Sequence, residues 1–427
     1  MGFSRRSFLR NISAGALGAS FTHFLPVSTS KVFAQSGGEP RHLLVIDCNG
    51  GLDTLMAFPF IGATEALINA RRPTLALSAA DRFILNGQIG IHKSMEALNT
   101  GAVGNLLANH SKFFTMAGVP GHNQLGHEGA RKVMSVLSPN IQTAKDGWLG
   151  RAKEGLHPYG CFGIGSSGLT FAPNTALKSC LQLSNLESYK FNVRGFSPAE
   201  QNRFINASKS LLNAPKPAEN PPLRQDVDQI NSMLHDSLPL IEQIKQINIA
   251  ETNFSENGAN NHSAYLFKDA AKIAIGRDAA QVSTITYLQR GGFDHHDHQM
   301  QSLPELLKEL SYALYGYLSE MISRSMQNRV TVLITTEFGR TTPSNGGGSD
   351  HGYAFTAAAI GGAVSGGAGK TVYGETPDAA AINQLYLPVS LDIRNVHFRI
   401  MQWMGVDPYT VITDPSFSLD NSLNIFA

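Results

Sequence analysis

The chain has 427 residues, 42% of them hydrophobic and 16% charged, with a formal net charge of +1. A chain of that length can bury a large core, as one large α/β domain or as two or three smaller ones, and the near-neutral balance excludes a basic field for nucleic acid. Three cysteines are too few for a disulfide scaffold of this size. Cys161 and Cys180 could pair in an oxidising compartment, which would leave Cys48 over, buried beside a strand end.

The first segment reads SRRSFLR, then a weakly apolar run, then KVFAQSGG with small residues at Val32 and Ala34. Residues 1–34 read as a twin-arginine export signal cleaved after Ala34. A membrane anchor fits less well, because the run carries His23 and Pro26 and is too short and polar to span a bilayer. Cleavage would remove four basic residues (Arg5, Arg6, Arg10, Lys31) and no acidic ones, leaving 30 basic against 33 acidic side chains, a charge of −3. The protein is therefore expected in the periplasm or secreted, without a stable membrane anchor. The twin-arginine route moves folded proteins, often with a metal already inserted.

Four apolar runs follow, each leading into a loop rich in Gly, Asp, His or Glu and then a helical pattern: HLLVI (42–46), KFFTMAG (112–118), VSTITYL (282–288) and VTVLITT (330–336). This alternation indicates βαβ units and a largely parallel sheet, with the active site outside the carboxyl ends of the strands. Between the second and third runs, residues 153–262 include the Pro-rich NAPKPAENPPLRQ and read as an inserted cap or side subdomain. After the third run, Ser302 and Glu305 form an expected capping box around Pro304, opening a helix whose apolar stripe is core.

The loop after the third run, RGGFDHHDHQ, holds Asp294, His295, His296, Asp297 and His298 in consecutive positions. A lone His or Asp in such a loop is more often a turn former, but five together, with Asp350 and His351 after the Gly-rich NGGGSD, point to a divalent metal site. Asp294 and His298 have Asp-x-x-x-His spacing. Glu337 follows the fourth strand, and Asp47 and Asp53 flank the end of the first. The facial-triad spacing His295-x-Asp297 suits a jelly roll, which the α/β pattern disfavours. GGAGKT (366–371) is no phosphate loop, because Val364 stands where the Walker pattern needs glycine. Asn206-Ala-Ser and Asn253-Phe-Ser match glycosylation sequons that a bacterial protein leaves unmodified.

The export signal, GGLD, GWLGR (147–151), GGFDHH, TTEFGRT and GGGSDHGYA together resemble the exported bacterial proteins grouped as domain of unknown function 1501, a branch of the alkaline-phosphatase-like superfamily. The resemblance spans nearly the whole chain after the signal. It implies a three-layer α/β sandwich over residues 35–427, with one or two divalent metal ions at the strand ends, and hydrolysis or transfer of phosphate or sulfate esters. The family's Gly-Trp-Asp-x-His motif falls on Gly292, Phe293, Asp294 and His296, whereas the superfamily's wider spacing selects His298. Its Glu-Phe-Gly-Arg motif makes Glu337 a ligand or base, and sets Arg340 to grip an anionic substrate bidentately.

The sequence departs from the pattern in GHNQLGH, which resembles a phosphomutase motif whose serine nucleophile is replaced here by Asn123, while His127 survives as a metal or substrate contact. An amide forms no covalent phosphoenzyme, so hydrolysis would run through a metal-bound hydroxide, with Thr54 as a fallback nucleophile. The partner is then a small anionic ester. The alternative is a non-catalytic metal-binding relative that joins a co-exported protein in an assembly.

Overall fold

The computed structural model describes residues 38–85, 87–142, 146–157, 159–165, 180–189, 236–249, 254–258, 261–365 and 371–426, with Ser197, Ala199, Glu200, Arg203 and Asn206 isolated between them. The expected signal (1–34), the Pro-rich stretch 213–225, Asn253 and 366–370 of GGAGKT lie outside the described residues. The thirteen strands among the described residues are β1 (His42–Cys48), β2 (Arg82–Ile84), β3 (Gly90–His92), β4 (Ser111–Gly118), β5 (Cys161–Ile164), β6 (Leu181–Leu183), β7 (Thr284–Arg290), β8 (Val330–Thr335), β9 (Gly339–Arg340), β10 (His351–Gly352), β11 (Phe355–Ile360), β12 (Val372–Tyr373) and β13 (Leu391–Asp392).

Nine of them form one sheet in the order β12-β4-β11-β8-β1-β7-β5-β6, with β13 also on β4. All four predicted apolar runs are strands of it. β1 is buried at every position and pairs in parallel with β7 and β8, as expected for a strand covered on both faces. Its alternate residues serve opposite layers. Leu44, Ile46 and Cys48 pack with helices His262–Ala279 and Gln299–Ser323, and Leu43 and Val45 with helices His127–Val136 and Ile393–Met404. The result is the expected three-layer sandwich.

β11 is the exception to the parallel pattern, lying antiparallel between β4 and β8. Its sequence FTAAAI carries three alanines, weak strand formers, and it is reached through the short β9–β10 ribbon rather than a crossover helix. Because it runs backwards, β11 begins at the edge where β1, β4, β7 and β8 end. Five loops therefore meet along one edge of the sheet.

One expectation needs correction, and another is met only in part by the described residues. Within 153–262, read as a cap or side subdomain, β5 and β6 extend the main sheet beyond β7, and helix Leu238–Lys245 packs in the layer of helix His262–Ala279. Strands of four and three residues leave little apolar run to read. The helix expected to open at Ser302 starts at Gln299 instead. The Ser302 N–H already donates to the His298 carbonyl, and His298, in the left-handed region (φ 53°), ends the loop. Pro304 lies inside this helix and removes one bond of its ladder.

Cys161 and Cys180 form a disulfide and Cys48 is free and buried, as expected. Among the described residues no helix is long and apolar enough to cross a membrane.

Candidate metal centre

The loop after β1 turns at Gly50 and Gly51, both with positive φ (115° and 77°). A Cβ on Gly50 would lie 2.6 Å from the Asp294 backbone nitrogen, and one on Gly51 would strike the Phe338 ring. Glycine is thus required for this loop to press against the loops after β7 and β8.

Asp294 sits at the centre of that junction, and three histidines turn toward it. His127, the first residue of its helix, places Nε2 3.1 Å from Asp294 Oδ2. His296 places Nε2 3.1 Å, and His351 3.2 Å, from Oδ1, and these two Nε2 atoms are 3.0 Å apart. Donor atoms of His127, Asp294 and His351 all lie within 4.8 Å of one another. Phe338, fully buried, supports the His351 ring at 4.2 Å and the His127 ring at 5.2 Å.

The other nitrogen of each ring is also engaged. Nδ1 of His127 meets Glu337 Oε1 at 3.1 Å, Nδ1 of His296 meets Asp350 Oδ1 at 3.0 Å, and Nδ1 of His351 meets the Leu125 carbonyl at 2.6 Å. A carbonyl only accepts, so His351 carries its proton on Nδ1 and its lone pair on Nε2. Burial lowers the pKa of His351 and favours that neutral ring. Carboxylates behind His127 and His296 favour the same tautomer, the outer-shell arrangement of metal-ligating histidines. Lone pairs and a carboxylate converging at 3.0–3.2 Å repel one another unless a cation lies among them. Four ligands around zinc stand about 3.3 Å apart, so the donors fit a small divalent ion.

Glu337 is held in turn. Its carboxylate accepts from the Gly50 N–H at 2.9 and 3.1 Å, and its side chain is 1% exposed. Burial works against the charge of Asp294, but the Arg340 hydrogen bond and charge outweigh it and hold that carboxyl below its ordinary value. Asp294 is therefore ionised at any working pH. The cluster opens outward, since the side chains of Asp294 and His296 are 40% and 44% exposed.

The remaining predicted residues lie elsewhere. His298 faces solvent, paired with Asp297 at 2.9 Å, so of the two alternatives His296 is the one at Asp294. Asp53 is buried in a bidentate ion pair with Arg72 and caps helix Thr54–Ala57. Asp47 lies beneath Glu337 and accepts from Tyr287 Oη at 2.7 Å and Gln289 at 3.2 Å. Its burial and the Glu337 charge push its carboxyl up to about 7. Thr54 is buried and its hydroxyl accepts from the Thr356 N–H, so it is not a free nucleophile. Asn123 is exposed and its carbonyl accepts from the Gln124 amide.

Arg340 departs most from expectation. It is 2% exposed and its guanidinium donates to the carbonyls of Gly50, Gly51, Phe293 and Ser349 and to Asp294 Oδ1. With its donors committed to three loops, it offers no fork to an incoming anion. Sequence reasoning also missed Leu125, whose role is played by a backbone carbonyl that no side-chain pattern reveals.

Fold and site together define an α/β protein with a histidine-rich, metal-type cluster at the carboxyl edge of a mixed sheet. Residues 242–416 match the family described as Protein of unknown function (DUF1501). No curated protein matches the chain. Among solved structures it is similar to Ps i-CgsB in complex with k-i-k-neocarrahexaose (10% identity, 87% of this chain and 78% of that one, TM-score 0.37). It is also similar to the zinc complex of the C-terminal periplasmic domain of EcEptC from Escherichia coli (9% identity, 93% and 92%, TM-score 0.36). A third is the alkaline phosphatase of Thermus thermophilus (10% identity, 71% and 60%, TM-score 0.28).

Proposed function

We propose that the protein is an exported metal-dependent hydrolase or transferase of phosphate or sulfate esters, with His127, Asp294, His296 and His351 holding a divalent cation. One observation carries this reading: three imidazole Nε2 atoms converge on one carboxylate while each Nδ1 is pinned from behind. A bound divalent cation supplies Lewis acidity, which polarises a phosphoryl or sulfuryl oxygen and acidifies a nearby water. Glu337 and Asp350 fix the orientation and basicity of His127 and His296, and Arg340 keeps Asp294 ionised and in place. The open cluster leaves room on its outer side for an ester. With Asn123 in the serine's place and Thr54 buried, the acceptor is water or an added alcohol rather than a side-chain hydroxyl. The buried Cys161–Cys180 disulfide accords with an oxidising compartment.

Exposed Asn123 also favours a second reading, in which the centre binds metal without turnover inside an assembly with a co-exported protein. Elemental analysis of protein purified without chelators, beside an Asp294→Ala, His351→Ala double variant, tests what both readings share. We expect at least one transition metal ion per chain, lost in the variant. A broad panel of phosphate and sulfate esters then separates them, since metal-loaded protein inactive on the whole panel supports the assembly reading.

A further inference from the structure

We infer that Arg131, which no sequence motif singled out, is the side chain that contacts the anionic group of the substrate. The inference rests on the reading of the metal centre given above. Arg131 lies four residues after His127 on helix His127–Val136, so both occupy one face. Helical side chains lean toward the N-terminus, which carries the guanidinium back over the turn that bears His127. The structure shows that contact: Arg131 Nε donates to the His127 carbonyl at 3.1 Å.

This bond fixes the guanidinium plane while leaving Nη1 and Nη2, with four N–H groups, for a ligand. The side chain is exposed, and its charge is close enough to lower the carboxyl pKa of Asp47 beneath Glu337. The neighbouring arginines are committed. Arg72 holds Asp53, Arg290 holds Ser263, Gly291 and Glu309, and Arg340 holds the loop carbonyls and Asp294. No side chain caps the helix start at Gly126, so first-turn N–H groups add positive potential beside His127. Glu128, the one acid on this helix, makes no ion pair with Arg131. A phosphate or sulfate oxygen held at the cluster would thus meet a planar donor pair.

The test uses inorganic phosphate as probe, titrated calorimetrically into zinc-loaded mature protein, for wild type, Arg131→Gln and Arg131→Lys. We expect Arg131→Gln to weaken phosphate binding about tenfold or more, with zinc content and melting temperature unchanged, and Arg131→Lys to recover part of the loss. A purely structural role would not show that recovery. Phosphate affinity that Arg131→Gln leaves at the wild-type value, with zinc bound, overturns the inference while the metal reading stands. If the wild type takes up no zinc, the metal reading fails first. Phosphate binding lost in Arg131→Gln would even then mark Arg131 as the anion contact, and retained binding would overturn it.

Discussion

Arg340 donates to Asp294 Oδ1 at 2.9 Å from a position where its own side chain is 1% exposed, while Asp294 is 40% exposed. A buried cation thus holds the one carboxylate on which three histidines converge. Replacing it with methionine leaves four loop carbonyls without their donor and Asp294 without its partner. We expect Arg340→Met to lose roughly 3–5 kcal/mol of stability and to weaken metal binding. Urea denaturation and zinc titration read the two effects, and a variant that keeps wild-type stability would show that the guanidinium does not rivet these loops.

The outer carboxylates predict a graded series. Glu337→Gln presents an amide to a site that accepts both the Gly50 N–H and the His127 ring, so one donor faces another. Zinc affinity is expected to fall about 10–100-fold. His296→Ala should lower affinity as well, whereas His298→Ala, on a side chain 75% exposed and away from Asp294, should leave it unchanged. Competition with a fluorescent chelator measures all three, and equal losses at His296 and His298 would contradict the placement of the cluster.

The strands that carry the site were legible because burial on both faces demands continuous apolar runs, as in HLLVI and VTVLITT. β11 escaped because alanines signal no strand, and β5 and β6 because they are too short. Asp294, His296, His351 and Glu337 were legible as donors crowded at strand ends. The roles of Asp53 and Arg340 were not, because a charged residue looks the same in sequence whether it faces a ligand or neutralises a buried partner. Only the positions of Arg72 and of the Gly50 and Gly51 carbonyls decide. His127 and Arg131 show the converse: once the helix start is set at His127, their spacing alone puts them on one face.

The disulfide joins β5 to the residue before β6 across a separation of 19 residues. Closing a loop of that size contributes about 3 kcal/mol by restricting the unfolded chain. A Cys161→Ser, Cys180→Ser double variant is expected to lose about 2–4 kcal/mol in urea denaturation, with zinc content unchanged, since Cys161 opens β5 at the end opposite the carboxyl edge where the cluster lies. Loss of zinc in the folded double variant would contradict that separation.

Asp47 sets a pH dependence of opposite sign to that of most carboxylates. Its folded pKa, raised to about 7 by burial and by Glu337, lies above the ordinary value of 3.8 that the unfolded chain recovers. Between those values the folded state keeps a proton that the unfolded state releases. The Asp47 contribution therefore lowers stability as pH rises from about 4 to about 7 and levels off above, by as much as about 4 kcal/mol at full linkage. Asp47→Asn removes the ionisation while its side-chain oxygen still accepts from Tyr287 Oη. The variant should match wild type near pH 4, exceed it at pH 8, and show a flatter profile of unfolding free energy against pH. A wild-type profile that the substitution leaves unchanged would mean that Asp47 does not hold its proton in the folded protein.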